Sequence, residues 1–344
     1  MRLLQAMAGA AVGGAEAFFE RLAIALGRRR DVAQRVIIRP EPARVRRLAD
    51  AGLDVGVLRF GGFLDRRTKP AFAAEVAKFR PDVVLSWMNR ATRFASRPGP
   101  RPYVHVARLG GYYDLKYYRH CDHLVGNTPD IVAYVREKGW PAERSHYLPN
   151  FVDDVSAPPI PRARFDTPDD APLLLALGRL HRNKAFDVLI AALADLPGHW
   201  LWVGGVGPEQ GALEKLAARL GVSERVRFIG WQQETAPLYA TADVSVCPSR
   251  HEPLGNVIIE AWARGVPVVA AASQGPKGLI DDGESGLLVP VDDADALAAA
   301  IQAVTGDPAF AGSLAEAGRA AYEGSFTEAI VVRRYLDFFA AVAH

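Results

Sequence analysis

The chain has 344 residues, enough for about two domains, and 49% of them are apolar, enough for two sizeable cores. Its net charge is +2, its two cysteines (Cys121 and Cys247) stand in apolar contexts, and no apolar run approaches the roughly 18 residues of a membrane span. No disulfide scaffold and no membrane-spanning helix is expected, and with Met1-Arg2-Leu3-Leu4 running directly into a strand no secretory signal is expected.

The charge is unevenly spread. Residues 1–165 hold 28 Lys+Arg against 16 Asp+Glu, a net of +12, while residues 166–344 hold 13 against 23, a net of −10. Such asymmetry points to an anionic partner for the first half.

In chain order, residues 3–7 read as a strand, 8–14 as a small-residue loop with Gly9, Gly13 and Gly14, and 15–26 as an amphipathic helix. The loop lacks the Gly-x-Gly-x-x-Gly spacing of a dinucleotide fold. A strand at 36–38, a basic helix at 40–51 with Arg44, Arg46 and Arg47, and a strand at 55–58 follow. The segment Phe60-Gly61-Gly62-Phe63-Leu64-Asp65-Arg66-Arg67-Thr68-Lys69 then leads into a helix from Pro70. The strand 82–87 ends in Trp87-Met88-Asn89-Arg90, and the strand 103–107 in Arg108-Leu109-Gly110-Gly111, at the edge where open α/β sheets bind ligands. Strands at 122–126 and 146–148 complete this half, with Asn127-Thr128-Pro129-Asp130 capping a helix over 131–138.

Residues 157–172 carry five prolines and read as a linker. The second half restarts with the strand Leu173-Leu174-Leu175-Ala176-Leu177, followed by Gly178-Arg179-Leu180-His181-Arg182-Asn183-Lys184. Arg179 and Lys184 are two cations suited to a diphosphate. Strands at 200–203 and 226–229 end in the loops of Gly205 and of Gly230-Trp231; for Trp231, stacking on a base and packing in a core both fit. A strand stopped by Pro248 leads to Glu252-Pro253-Leu254-Gly255-Asn256, a helix over 257–264 carrying Glu260, and a buried strand at 266–270. The amides of Leu254, Gly255 and Asn256 open that helix and suit an anion, and Glu252 and Glu260 suit sugar hydroxyls. Asp293 and Asp295 have the spacing of metal-binding acids but precede a helix, so an N-terminal helix role is expected and no metal. Residues 326–342 form an amphipathic final helix.

Glu252 and Glu260, with seven residues between them within Glu-Pro-Leu-Gly…Glu-Ala, resemble the signature of retaining glycosyltransferases of the GT-B fold, family four in particular. The segment from Gly178 to Lys184 resembles that family's Gly-Arg-Leu-x-x-x-Lys, and Gly13-Gly14-Ala15-Glu16 the opening of its first helix. The resemblance spans nearly the whole chain. It implies two facing doubly wound, Rossmann-like α/β domains: 1–156 for the acceptor, 173–325 for a nucleotide-sugar donor, and a helix over 326–344 that crosses back to the first. It implies that Arg179, Lys184 and Glu252 carry catalysis, and that Gly13, Gly14, Gly205, Gly230, Trp231, Leu254, Gly255, Asn256 and Glu260 hold the donor. Many members carry a His after the strand that here ends at Ala107; this chain has Arg108 there, and His105 lies within the strand.

The expected function is metal-independent transfer of a hexose from a nucleotide-diphospho-sugar to a lipid-linked or envelope-glycan acceptor of lipopolysaccharide type, with no cofactor. Trp87, Asn89, His105 and Arg108 are the acceptor-side candidates. A sugar-nucleotide 2-epimerase of the same fold and a catalytically silent sugar-nucleotide-binding subunit are the rivals. Phe60, Phe63, Arg66, Arg67 and Lys69 are expected to touch an anionic membrane surface, placing a cytoplasmic enzyme on the inner face of that membrane. Nucleic acid fits poorly, since no nucleic-acid module is present.

Overall fold

A computed structural model of the chain describes residues 1–11, 13–62, 64–95 and 102–343. It forms two compact units, Met1–Phe151 with Glu328–His344, and Val152–Thr327.

The first unit runs β1 (Arg2–Met7), α1 (Gly14–Gly27), β2 (Ala33–Ile38), α2 (Pro42–Asp50), β3 (Asp54–Val57), α3 (Thr68–Phe79), β4 (Val83–Trp87), α4 (Met88–Ala95), β5 (Val104–Leu109), β6 (His123–Gly126), α5 (Pro129–Glu137) and β7 (Ser145–Tyr147). Its strands make one parallel sheet in the order β3-β2-β1-β4-β5-β6-β7. Strand order therefore reverses between β1 and β4, where ligands of doubly wound sheets bind. Local chemistry sets the helix starts. Glu41 caps α2 ahead of Pro42, and Thr128 accepts the Ile131 N–H at 3.1 Å ahead of Pro129.

The second unit runs β8 (Leu173–Leu177), α6 (Phe186–Ala194), β9 (Trp200–Gly204), α7 (Gln210–Arg219), β10 (Val226–Gly230), α8 (Ala236–Tyr239), β11 (Val244–Cys247), α9 (Asn256–Trp262), β12 (Val268–Ala271), α10 (Gln274–Leu279), β13 (Leu287–Val289), α11 (Ala294–Gly306) and α12 (Pro308–Ser325). Its parallel sheet has the order β10-β9-β8-β11-β12-β13, reversing between β8 and β11. The last helix, α13 (Glu328–Val342), belongs to the first unit, where Val331, Tyr335, Phe338 and Phe339 pack with Phe18, Leu22 and Trp87.

Residues 157–172, read as a linker, are anchored within the second unit. Ile160 N–H donates to Thr241 at 2.8 Å, Arg162 bonds the Asp243 carboxylate at 3.0 Å, and the Trp202 indole donates to Thr167 at 2.9 Å. The prolines fix an extended path along this surface; they do not free the segment from it. Among the described residues no helix is long and apolar enough to cross a membrane.

Candidate active site

In the second unit, the loops after β8 and β11 leave the sheet where its strand order reverses, and they are stitched together. His251 N–H donates to the Asn183 carbonyl at 3.2 Å, and Arg250 grips Asp187 through two bonds of 2.8 and 2.6 Å while also pairing with Asp292. This frame brings the Lys184 ammonium onto the Glu252 carboxylate. Burial works against the Lys184 charge, but the adjacent Glu252 outweighs it and raises the lysine above its ordinary range. Lys184 therefore stays cationic.

The glycines keep these loops close. Gly178 turns with φ 158°, and a Cβ there would stand 3.2 Å from Cε of Lys184, whose stem crosses it. Gly205 has φ 138°, and a Cβ there would fall 1.8 Å from the Gly178 carbonyl oxygen. Gly205 N–H donates to the Gly230 carbonyl at 2.7 Å, joining the loop after β10 to the same edge. Beside Gly230, the Trp231 side chain is 61% exposed, which removes the core reading and leaves its ring free for a ligand. Arg179 is exposed as well, and the structure gives it no bond to another described residue.

The turn into α9 differs in detail from the sequence expectation. Gly255 takes φ 91°, but its N–H donates to Glu252 at 3.3 Å, so one of the three expected anion-binding amides is already used. The carboxylate three residues earlier folds over the turn and takes it. The Leu254 side chain is buried in the core, and Asn256 opens the helix. Glu260 accepts a bond of 3.2 Å from the Tyr239 hydroxyl, which burial holds protonated. Asp293 accepts the Ala296 N–H at 2.8 Å and so caps α11, with Asp295 in its first turn.

The first unit corrects several expectations. Trp87 is wholly buried, and its indole donates to Gln5 at 2.9 Å. His105 is also wholly buried; Nε2 lies 2.8 Å from the Ser86 hydroxyl, and the backbone N–H donates to Asp122. Arg108 is 2% exposed, with its guanidinium 4.7 Å from the Phe18 ring centre and 4.6 Å from that of Trp87, bonded to Tyr335 at 3.2 Å and to Asn150. All three stand inside β4 or β5, and strands of a parallel sheet covered on both faces are buried. They are structural residues, not acceptor contacts. Asn89 is half-buried and accepts from the Tyr118 hydroxyl. Gly13 precedes α1 and Gly14 begins it, but a Cβ at Gly13 would lie 2.3 Å from the buried Glu16 carboxylate, which accepts the Ala10 N–H at 2.7 Å. Phe60 is likewise corrected: it is wholly buried against Phe94, with ring centres 5.8 Å apart, so it cannot face a membrane. Phe63 lies outside the described residues.

The family profile described as glycosyl transferases group 1 matches residues 171–307. The lipopolysaccharide core biosynthesis glycosyltransferase LpsE of Rhizobium meliloti (strain 1021) is 41% identical over 332 residues, covering 96% of each chain. This chain is a group 1 glycosyltransferase. LpsD of the same organism, named for the same process, is 37% identical over 95% of each chain. Anabaena HepE, solved with UDP and glucose, superposes with a TM-score of 0.86 at 21% identity, covering 99% of this chain and 100% of its own. WaaG, described as a glycosyltransferase of lipopolysaccharide biosynthesis, gives a TM-score of 0.72 at 19% identity, covering 98% and 99%. These solved structures share the GT-B fold of two parallel-sheet Rossmann-like domains.

Sequence reasoning missed some of this glycosyltransferase's groups. Gly275 N–H donates to the Glu252 carbonyl at 2.7 Å, and a Cβ at Gly275 would stand 2.5 Å from the Leu254 carbonyl oxygen. Ser273 beside it is buried, and its hydroxyl has no partner among the described residues. The signal was Ser-Gln-Gly just beyond a buried strand, as Gly178 follows β8.

Proposed function

We propose that this glycosyltransferase is a retaining, metal-independent hexosyltransferase that uses a nucleotide-diphospho-sugar. One observation carries the reading: the loop after β8 that holds Arg179 also brings Lys184 onto Glu252, where the second sheet's strand order reverses. A leaving diphosphate needs cations, and Lys184 is held charged in a largely buried place where charge counts for more. Glu252 hydrogen-bonds sugar hydroxyls, Glu260 the ribose, and the exposed Trp231 ring stacks on the base. Gly205, Gly230, Leu254 and Asn256 supply backbone approach to the donor. In the reaction, the bond from sugar C1 to the β-phosphate oxygen breaks as the acceptor oxygen bonds C1 on the same face. The acceptor proton passes to the leaving phosphate, so no separate base is needed.

The acceptor is an envelope glycan of the lipopolysaccharide-core class. The names of LpsE and LpsD support this, and so does the +12 charge of the first unit, since such glycans are anionic. Peripheral contact with an anionic membrane completes the reading, now through exposed Arg66, Arg67, Lys69 and the 85% exposed Leu64.

The test is incubation with a panel of nucleotide sugars and deacylated lipopolysaccharide-core oligosaccharide, with and without excess chelator. Nucleoside diphosphate release and the anomeric configuration of the product are then measured by NMR. Release unaffected by chelator, with the donor's anomeric configuration kept, is expected. An inverted product overturns retention, and activity restored only by a divalent ion overturns metal independence. A nucleotide sugar epimerised without acceptor overturns transfer.

A further inference from the structure

Once Trp87, His105 and Arg108 are absorbed by the core, the next loop along the first sheet's carboxyl edge carries the acceptor chemistry. After β5 the chain runs Gly110-Gly111-Tyr112-Tyr113-Asp114. Its tyrosines are used differently. The Tyr112 hydroxyl is tied to Asp130, and the buried Tyr118 donates to Asn89. Tyr113 is held at both ends: its carbonyl accepts from the Tyr134 hydroxyl at 3.1 Å, and its ring lies nearly parallel to Tyr118, with centres 6.4 Å apart and planes 22° apart. Yet the hydroxyl of this half-buried, well-fixed side chain has no hydrogen-bond partner among the described residues.

The surroundings show where that hydroxyl stands. A Cβ on Gly111 would lie 3.9 Å from it, and a Cβ on Gly110 would lie 3.7 Å from Nη1 of Arg108. Gly111 is thus buried beneath the phenol end of Tyr113, and the half-buried Gly110 beside the Arg108 guanidinium, so that two residues without side chains separate the two groups. Burial raises the phenol above its ordinary range, the Arg108 charge opposes that, and the Glu16 carboxylate adds to it. The phenol is therefore neutral at physiological pH and both donates and accepts hydrogen bonds. Nearby, the chain passes from β4 into α4 through Met88 at φ 59°, a strained backbone of the kind that gathers at functional sites.

We propose that Tyr113 binds the acceptor sugar, its hydroxyl hydrogen-bonding a hydroxyl of that sugar beside Gly110 and Gly111 and its ring offering an apolar face. A tyrosine suits this, having an apolar body and a polar tip. The inference rests on the transferase reading above and names the group that holds the acceptor. It assigns Tyr113 a binding role and no part in proton transfer.

The test uses the full-length enzyme, the donor preferred in the panel, and deacylated lipopolysaccharide-core oligosaccharide. Tyr113→Phe should raise the acceptor KM roughly five- to tenfold, the loss of about one hydrogen bond, and leave donor KM, kcat at saturating acceptor and thermal midpoint near wild type. Tyr113→Ala should raise acceptor KM further. A purely structural tyrosine would instead show its loss in the thermal midpoint. An unchanged acceptor KM in Tyr113→Phe, with an active wild-type enzyme, overturns this inference and leaves the transferase reading standing. No transfer to the oligosaccharide by the wild-type enzyme from any donor overturns the acceptor reading, and this inference with it.

Discussion

At the carboxyl edge of the second sheet the charged groups stand in loops; at the same edge of the first they stand in strands. Arg179, Lys184 and Glu252 lie beyond the ends of β8 and β11, and Arg179 remains exposed. Arg108 and His105 lie within β5, and the core uses their polar atoms: Arg108 holds Asn150 and Tyr335, and His105 holds Ser86. Parallel strands covered on both faces bury what they carry. A cation one residue inside a strand end thus serves the fold, while one just outside is free for a ligand. The binding group of the first unit is accordingly expected in the loop at Tyr113, past the strand.

The largest effect should come from the second unit's loops. Arg179→Ala and Lys184→Ala should each lower turnover at least ~100-fold, as loss of one electrostatic stabiliser does. They should separate in stability. Arg179 has no bond to another described residue, so its variant should melt like wild type. Lys184→Ala leaves the Glu252 carboxylate, 12% exposed, without its partner, and should cost up to about 3 kcal/mol. Assays of nucleoside diphosphate release and thermal melts read both quantities. Near-normal turnover in Lys184→Ala would break the comparison at its strongest point.

Next in size is Arg108→Ala, which should destabilise the first unit by about 3 kcal/mol through a cavity and the unpaired Tyr335 hydroxyl. Urea unfolding measures it. An unchanged midpoint together with lost transfer would return Arg108 to the acceptor site.

Acid should act on the first unit more than on the second. Burial first, then the neighbouring His123 and Arg136 charges, lowers His146 to about 4. Burial also lowers His123, and in the second unit His199. The unfolded chain takes up these protons from about pH 6.5 downward, before the folded one does. The contribution is therefore complete above about pH 6.5 and is lost as pH falls toward about 4. The thermal midpoint should fall over that range, and His146→Gln, which removes one titrating group, should flatten the fall. An equally steep fall in the variant would show that His146 is not responsible.

The smallest effect concerns the membrane. Sedimentation with anionic vesicles should exceed that with neutral ones, weaken with salt, and drop when Arg66, Arg67 and Lys69 become Gln, each charge being worth about 1 kcal/mol near the surface. Equal recovery in the supernatant with both vesicle types at low salt would remove the membrane contact and leave a soluble-acceptor transferase.

Most strands were legible because each is an apolar run closed by glycine, proline or a polar turn: Leu173–Leu177 before Gly178, and Val244–Cys247 before Pro248. The helix Met88–Ala95 was not, since it begins directly after β4 with no capping residue and turns through a non-glycine left-handed Met88. The linker reading of 157–172 failed for a related reason. Prolines announce an extended path, but Arg162 finds its partner just before β11 and Thr167 in β9, both far along the chain.

By itself the sequence determined the two parallel-sheet units, the family, and the loops that carry Lys184, Glu252 and Trp231. These depend on neighbours close in the chain: apolar periodicity, strand-end glycines and fixed motif spacing. Only the tertiary structure decided which polar residues of the first unit are available. The fates of His105, Arg108 and Tyr113 turn on Ser86, Asn150 and Tyr335, which stand next to His105 and Arg108 in space though far along the chain, and on the lack of any such partner for the Tyr113 hydroxyl among the described residues. Whether a buried polar atom is satisfied is a property of long-range packing, and local sequence does not encode it.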